Sequence, residues 1–189
     1  DMKIMKKNVA LSALDGTGFE SHHVSAYYVK RKAQGGERFH MLRHPKVGVM
    51  ADTATHLVLS GVPGRGPYPD VVHFQKAVTE AEKQRHSKTL ATDAGYDSEK
   101  AHLFARGRGI RTLIPATAGR PTKKLPQGKW RKIMATRFNN VLYGQRWQVE
   151  TVNSMIKRNL GSALRARHYW SQCREMGLRL FVHNVMIVR

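Results

Sequence analysis

The order of apolar runs along this chain predicts an α/β protein: three strands, a helix, a strand, a helix, a further strand and then helices. The first three strand-like runs are short, the second and third flank a turn, and together they read as an antiparallel meander. The later ones alternate with helical stretches, which requires helices packed on a sheet. With 189 residues, 41% of them apolar, the chain is long enough to bury a real core, and one domain over 1–189 is the expectation.

Each element has a local reason. Val9 to Leu14 is an apolar run that breaks at Asp15-Gly16-Thr17-Gly18, a buried strand running into a loop. Residues 20 to 45 are polar and basic with aromatic interruptions and receive no assignment. Lys46 to Ala51 and His56 to Val62 flank Asp52-Thr53-Ala54 and read as a hairpin. Gly61 to Pro69 reads as a Gly/Pro-rich loop, and Asp70 as the N-cap of a helix reaching His86. Lys88 to Thr92 is a short strand ending at Asp93, and Asp97 is the expected cap of a helix to Arg106. Arg111 to Pro115 is a further short strand, and Gly119 to Lys132 a basic loop. Two helices follow, 137–160 and 171–188; on the second, Met176, Leu180, Phe181 and Val185 read as core packing.

Lys and Arg number 33 against 13 Asp and Glu, a formal charge of +20. So large an excess points first to a polyanion, with nucleic acid the leading partner. Ribosomal-type packing, heparin-like binding and solubility are the alternatives. The lone Cys173 excludes an internal disulfide framework and any multi-cysteine zinc site, so a reducing, cytoplasmic compartment is the default. No run approaches the roughly 18 to 20 apolar residues of a membrane span, and no membrane partner is expected. The basic start is a poor signal peptide. His40 and His44 stand four apart without a third ligand, and Gly64-Arg65-Gly66 lacks the Gly-Lys-Ser/Thr ending of a phosphate-binding loop.

Two acids stand where strands run out, Asp15 and Asp93, and adjacent strand ends are only about 5 Å apart. Taken singly, either reads as a turn or capping residue. The helix over 137–160 adds weight. At about 100° per residue, Tyr143, Arg146, Glu150 and Lys157 share one sector about 60° wide. Leu142, Val149, Val152, Ile156 and Leu160 cluster on a separate, apolar face. An Arg146–Glu150 salt-bridge ladder is the plainer account of the same spacing. Trp147 reads as a packing residue rather than a platform for bases.

The run Tyr143-x2-Arg146-x3-Glu150-x6-Lys157 resembles the Tyr-Arg-Glu-Lys signature of bacterial insertion-sequence transposases of the DDE type. Asp15-Gly16-Thr17 and Asp93-Ala94-Gly95-Tyr96-Asp97-Ser98 resemble that family's first and second acidic motifs, in the order Asp, Asp, Glu. The resemblance implies an RNase H-like, retroviral-integrase-like fold: a mixed sheet with its first strands antiparallel and helices on both faces. It implies Asp15, Asp93 and Glu150 as catalytic ligands of two Mg²⁺ ions, with Mn²⁺ an acceptable substitute. Tyr143, Arg146 and Lys157 would hold the transposon-end strand by its phosphates. Arg165 and Arg167 would extend that track or form a solvated basic turn.

The implied activity is metal-dependent cleavage and strand transfer at insertion-sequence ends, with end and target DNA as partners and a homodimer on paired ends. A truncated or repurposed remnant that only binds DNA, and an RNase H-like nuclease with other substrates, are the alternatives. The N-terminal end-recognition region of full-length relatives is expected to be absent. No inserted sheet domain is expected between Asp93 and Glu150.

Overall fold

A computed structural model of the chain describes residues 8–21, 44–66, 68–116 and 125–189. A short strand β1 (Asn8–Val9) leads into β2 (Ser12–Gly18) and β3 (Glu20–Ser21). The long strands β4 (His44–Asp52) and β5 (Val58–Gly66) follow, then helix α1 (Phe74–Glu82). Next come β6 (His86–Ser87), β7 (Thr89–Thr92), α2 (Glu99–Arg106) and β8 (Arg111–Leu113). The remainder is α3 (Lys129–Thr136), α4 (Asn140–Tyr143), α5 (Trp147–Leu160), β9 (Ala163–Leu164) and α6 (Tyr169–Val188). No described helix is long and apolar enough to cross a membrane.

Five strands form the main sheet in the order β5-β4-β2-β7-β8. β2, β4 and β5 make the expected antiparallel meander, and β7 and β8 add parallel strands on the other side of β2. Side chains alternate across β2. Leu14 enters one core with Phe74, Val78 and Ala81 of α1, Ala101 and Ala105 of α2, and Tyr96. Ala13 enters the opposite core with Val149, Val152 and Ile156 of α5 and Met176 and Leu180 of α6. Both faces are therefore covered by helices. Each fully buried aliphatic side chain of this kind contributes about 1.5–3 kcal/mol, so the three buried apolar residues of α5 suffice to seat that helix on β2.

Several elements depart from the sequence expectation for identifiable reasons. β2 does not stop before Asp15; its ladder with β4 continues to Gly18 opposite Lys46, so Asp15 sits within a strand. β5 runs through the Gly/Pro-rich stretch as far as Gly66 because it is an edge strand, where Pro63 costs no ladder bond on its open side. Gly61 and Gly64 leave room for Leu180 and His73 to lie directly on that strand. Asp70 is no helix cap: it opens a 3₁₀ turn, Asp70–His73, and pairs with Lys46 at 2.6 Å. α1 therefore starts at Phe74 and ends at Glu82, short of His86.

Asp97 is not a cap either. Ser98 beside it accepts the Ala101 N–H at 3.0 Å, and the fully buried Asp97 carboxylate accepts from Arg131 Nε and Nη2 at 2.7–3.0 Å. Arg131 belongs to α3, a helix inside the stretch that reads as a basic loop; residues 117–124 of that stretch lie outside the described ones. α3 has no cap of its own. Glu99 supplies one from α2, accepting the N–H groups of Trp130 and Arg131 at 3.1 Å each.

The helix expected over 137–160 is three pieces. Asn139 caps α4, a 3₁₀ turn spans Gly144–Arg146, and α5 begins at Trp147. Trp147 is 53% exposed rather than packed, and Phe181 (65%) and Val185 (51%) of α6 are also exposed. The buried stripe of α6 contains the expected Met176 and Leu180 and is completed by Gln172 and His183. His44 lies in a strand, so the helical spacing considered for it does not apply; His40 is outside the described residues.

The Asp97–Arg131 pair fastens α3 to α2 at a carboxylate that has no access to water. Asp97→Ala is expected to destabilise the fold by about 3 kcal/mol, the lower end for a broken buried ion pair, since Arg131 is partly exposed. Urea unfolding measures this; a loss below about 1 kcal/mol, the level of a surface pair, would contradict it.

Candidate active site

The last parallel pair between β2 and β7 is Leu14 with Thr92. The next residue on each strand is an acid, so Asp15 and Asp93 emerge side by side where that ladder ends. Asp15 shares the face of Ala13, which is the α5 side. Its Oδ2 accepts the Asn153 Nδ2 at 3.2 Å. Burial pushes its carboxyl up; the Gly16 N–H opposes this, Asp93 and Glu150 add to the rise, and Arg146 counters it. Asp15 thus lies in the electrostatic field of both other acids.

Asp93 combines two roles. Its Oδ1 accepts the Gly95 N–H at 3.0 Å and caps the 3₁₀ turn Ala94–Tyr96, the plain capping role the sequence allowed. Its other oxygen takes no hydrogen bond from a described residue. Beneath the acids, Tyr96 is wholly buried and its hydroxyl has no partner among the described residues. Burial raises that phenol far above its usual range, and Asp70, Asp15 and Asp93 raise it further.

Glu150 stands in the first turn of α5 and is about half exposed. Arg146 Nη2 donates to its Oε1 at 2.5 Å, so the salt-bridge reading of this spacing is realised. The Arg146 guanidinium also lies 5.9 Å from the Tyr143 ring centre. Tyr143 packs edge-on against Phe138 and rests on the cluster of Leu11, Ala91 and Leu113. Burial raises the Tyr143 hydroxyl; Arg146 opposes the rise, and Asp93 and Glu150 add to it. Tyr143 and Arg146 therefore sit beside the acids even though the 3₁₀ turn interrupts the single helix expected to hold them.

A cleft of about 420 Å³ opens beside the acids, lined by Asp15, Thr17, Glu150, Asn153, Ser154, Lys157, Arg158 and Ser162. Lys157 reaches it from two turns along α5, with its Nζ 5.8 Å from the Phe19 ring centre. Arg165 and Arg167 follow β9, are exposed, and do not line the cleft. Asn153 and Arg158 are cleft residues that sequence reasoning missed. Asn153 had a readable signal: an amide among Val149, Val152 and Ile156 on the buried face of α5.

The donor set suits a hard divalent cation, since it offers carboxylate oxygens and no imidazole or thiolate. The desolvated Asp15 beside two further acids is a locale that a cation would relieve. As they stand, no three Asp, Glu, His or Cys side chains among the described residues are grouped closely enough to hold an ion, and Glu150 is turned to Arg146.

Solved structures share the fold. A synaptic complex of piggyBac transposase with hairpin DNA contains a chain similar to this one at a TM-score of 0.54 and 12% identity, over 95% of this chain and 46% of that one. A chain of the simian T-cell lymphotropic virus intasome in complex with PP2A regulatory subunit B56 gamma aligns at 0.50 and 9%, over 93% and 48%. The catalytic core domain of BIV integrase aligns at 0.49 and 12%, over 94% and 82%. This chain spans under half the length of the first two. The fold is the RNase H-like fold of integrase and transposase cores. No curated protein sequence matches significantly. The sequence profile of the transposase DDE domain matches residues 10–185, and the chain belongs to that family.

Because folding raises the Asp15 pKa, the folded chain holds that proton more tightly than the unfolded one. Its contribution to stability is therefore lost as pH rises from about 3.9 through the raised value. Asp15→Asn is expected to raise the melting temperature at pH 7 in chelator-treated buffer, with the difference closing below about pH 3.9. A lower melting temperature at pH 7 would show that burial of the ionised carboxylate carries no net penalty.

Proposed function

We propose that this chain is the catalytic domain of an insertion-sequence transposase, cutting DNA strands at element ends and joining the freed 3′ hydroxyl to target DNA. The observation that carries the reading is the emergence of Asp15 and Asp93 together where the β2–β7 ladder ends, with Glu150 of α5 within their field. Asp15, Asp93 and Glu150 would hold two divalent ions, Mg²⁺ or Mn²⁺. Bound there, such ions activate the attacking oxygen and stabilise the leaving one in an in-line displacement.

The chain's own residues supply position and charge. Arg146 neutralises Glu150 and has further N–H groups with which to grip a phosphate, bidentately if the geometry of the end allows. Tyr143 is braced by Phe138 and packed apolar residues, so its hydroxyl marks a fixed point beside Asp93. Lys157 and its neighbour Arg158 offer point charges to phosphates farther along the cleft. Arg165 and Arg167 would extend the track only beyond the cleft. The +20 charge supports DNA, both end and target, as the partner. The resemblance to bacterial insertion-sequence enzymes supports a cytoplasmic setting and a homodimer on paired ends.

The test is nicking of a supercoiled plasmid by this chain with Mg²⁺ or Mn²⁺. Asp93→Asn is expected to lower the rate about 100-fold or more, as several kcal/mol of transition-state stabilisation are lost. Equal rates in both proteins would refute the assigned role; DNA binding without nicking by the parent chain would favour a binding remnant. Separately, Arg146→Ala and Lys157→Ala are each expected to weaken duplex binding. Each should reduce the slope of log affinity against log salt by about 1. Unchanged slopes would mean that neither side chain meets a phosphate.

A further inference from the structure

Asn153 is an anomaly on α5. The buried side of that helix is formed by Val149, Val152 and Ile156, each at most 1% exposed, and Asn153 lies among them at 6%. Among the described residues its amide makes one hydrogen bond, from Nδ2 to Asp15 Oδ2. Its Oδ1 is buried and has no partner among the described residues. A buried acceptor without a donor is costly, and an aliphatic side chain of similar size would avoid that cost. Stability alone therefore does not account for an amide here.

The orientation has a chemical reason. An ionised carboxylate only accepts, so the amide must turn its NH₂ group to Asp15 and its oxygen away. The bond crosses from the helix that carries Glu150, three residues earlier, to the strand that carries Asp15. Among the described residues it is the hydrogen bond by which a side chain of α5 holds Asp15. Neither Asp93, committed through Oδ1 to its own turn, nor Glu150, committed to Arg146, is held by the other element.

We infer that Asn153 is a positioning residue for Asp15: its N–H fixes one carboxylate oxygen and leaves the other for a divalent cation in the cleft. This rests on the catalytic reading above, because it assigns Asn153 a task only if Asp15 receives a cation. The competing account makes Asn153 a structural pin that docks α5 on β2. The two accounts differ in what removal of the amide does. A pin that is lost lowers stability; a positioning donor that is lost weakens cation binding while the fold is kept.

The experiment measures Mn²⁺ affinity by electron paramagnetic resonance, with thermal melting in chelator-treated buffer, for the parent chain, Asn153→Leu, Asn153→Ala and Asp15→Asn. Asn153→Leu removes both the donor and the orphan acceptor at similar volume and is expected to melt no lower than the parent. Both Asn153 variants are expected to bind Mn²⁺ roughly tenfold more weakly, the scale of losing a partner that orients a metal ligand. Plasmid nicking by Asn153→Leu should then need correspondingly more Mn²⁺ and recover at high Mn²⁺, which loss of a docking pin would not produce.

Parent-like Mn²⁺ affinity in both Asn153 variants, with weak binding by Asp15→Asn, would overturn this inference and leave the catalytic reading standing. Melting well below the parent in both Asn153 variants would also overturn it, in favour of the pin. Failure of the parent chain to bind Mn²⁺ more tightly than Asp15→Asn would remove the catalytic reading and this inference with it.

Discussion

The central strand β2 belongs to two ladders of unequal length, and the site depends on that inequality. Its antiparallel partner β4 holds it from Ser12 to Gly18, while its parallel partner β7 pairs only from Ser12 to Leu14. β7 then breaks into a turn capped by Asp93 itself. Beyond Leu14, β2 is still held straight on one side and is open on the other. Asp15 sits at that opening, fixed in backbone yet beside a gap where a second acid and a cleft meet. A strand that frayed at Asp15 would scatter the acids; a β7 that ran two residues farther would bury Asp93 in the ladder.

The rest of the architecture serves to bring a third acid to the gap. α5 is seated by Val149, Val152 and Ile156 against the sheet, which directs its first turn, and so Glu150, toward the end of β2. The α4 segment and the 3₁₀ turn at Gly144–Arg146 return the chain over β7 and β8 through Leu142 and Tyr143. Burial of Asp15 opposes folding at neutral pH, and the charges of Asp93 and Glu150 add to its raised carboxyl. Such local cost is tolerated where the surrounding packing determines the geometry. Here two cores, one on each face of the sheet, do so.

What was legible in the sequence was whatever rested on local pattern. The apolar runs before Asp15 and Asp93 read as strands, and strands stand there, because strand burial is a short-range signal; Asp93 does follow a strand end, whereas β2 runs on past Asp15 to Gly18. The spacing of Arg146 and Glu150 predicted a pair that the structure makes, since i and i+4 are adjacent on the first turn of a helix as well as in its middle. Asp97 was misread because its neighbour Ser98 is the better cap, and its true partner Arg131 lies far along the chain. α3 was illegible because its cap, Glu99, comes from another helix. The second half of β5, Pro63 to Gly66, read as loop because of its Gly and Pro content, which only the open edge of the sheet excuses. Phe181, Val185 and Trp147 read as core from their residue type, yet each helix has one buried stripe and they fall outside it.

Asp15, Asp93 and Glu150, far apart in sequence, are proposed to share one divalent-cation locale. Iron(II) offered in place of Mg²⁺, with ascorbate and peroxide, generates hydroxyl radicals that cut polypeptide close to where the iron is bound. Mass spectrometry of the fragments should locate cuts in three separate segments, around Asp15, Asp93 and Glu150, all suppressed together by excess Mg²⁺. Cuts spread along the chain without Mg²⁺ protection, or sparing one of the three segments, would contradict a shared site.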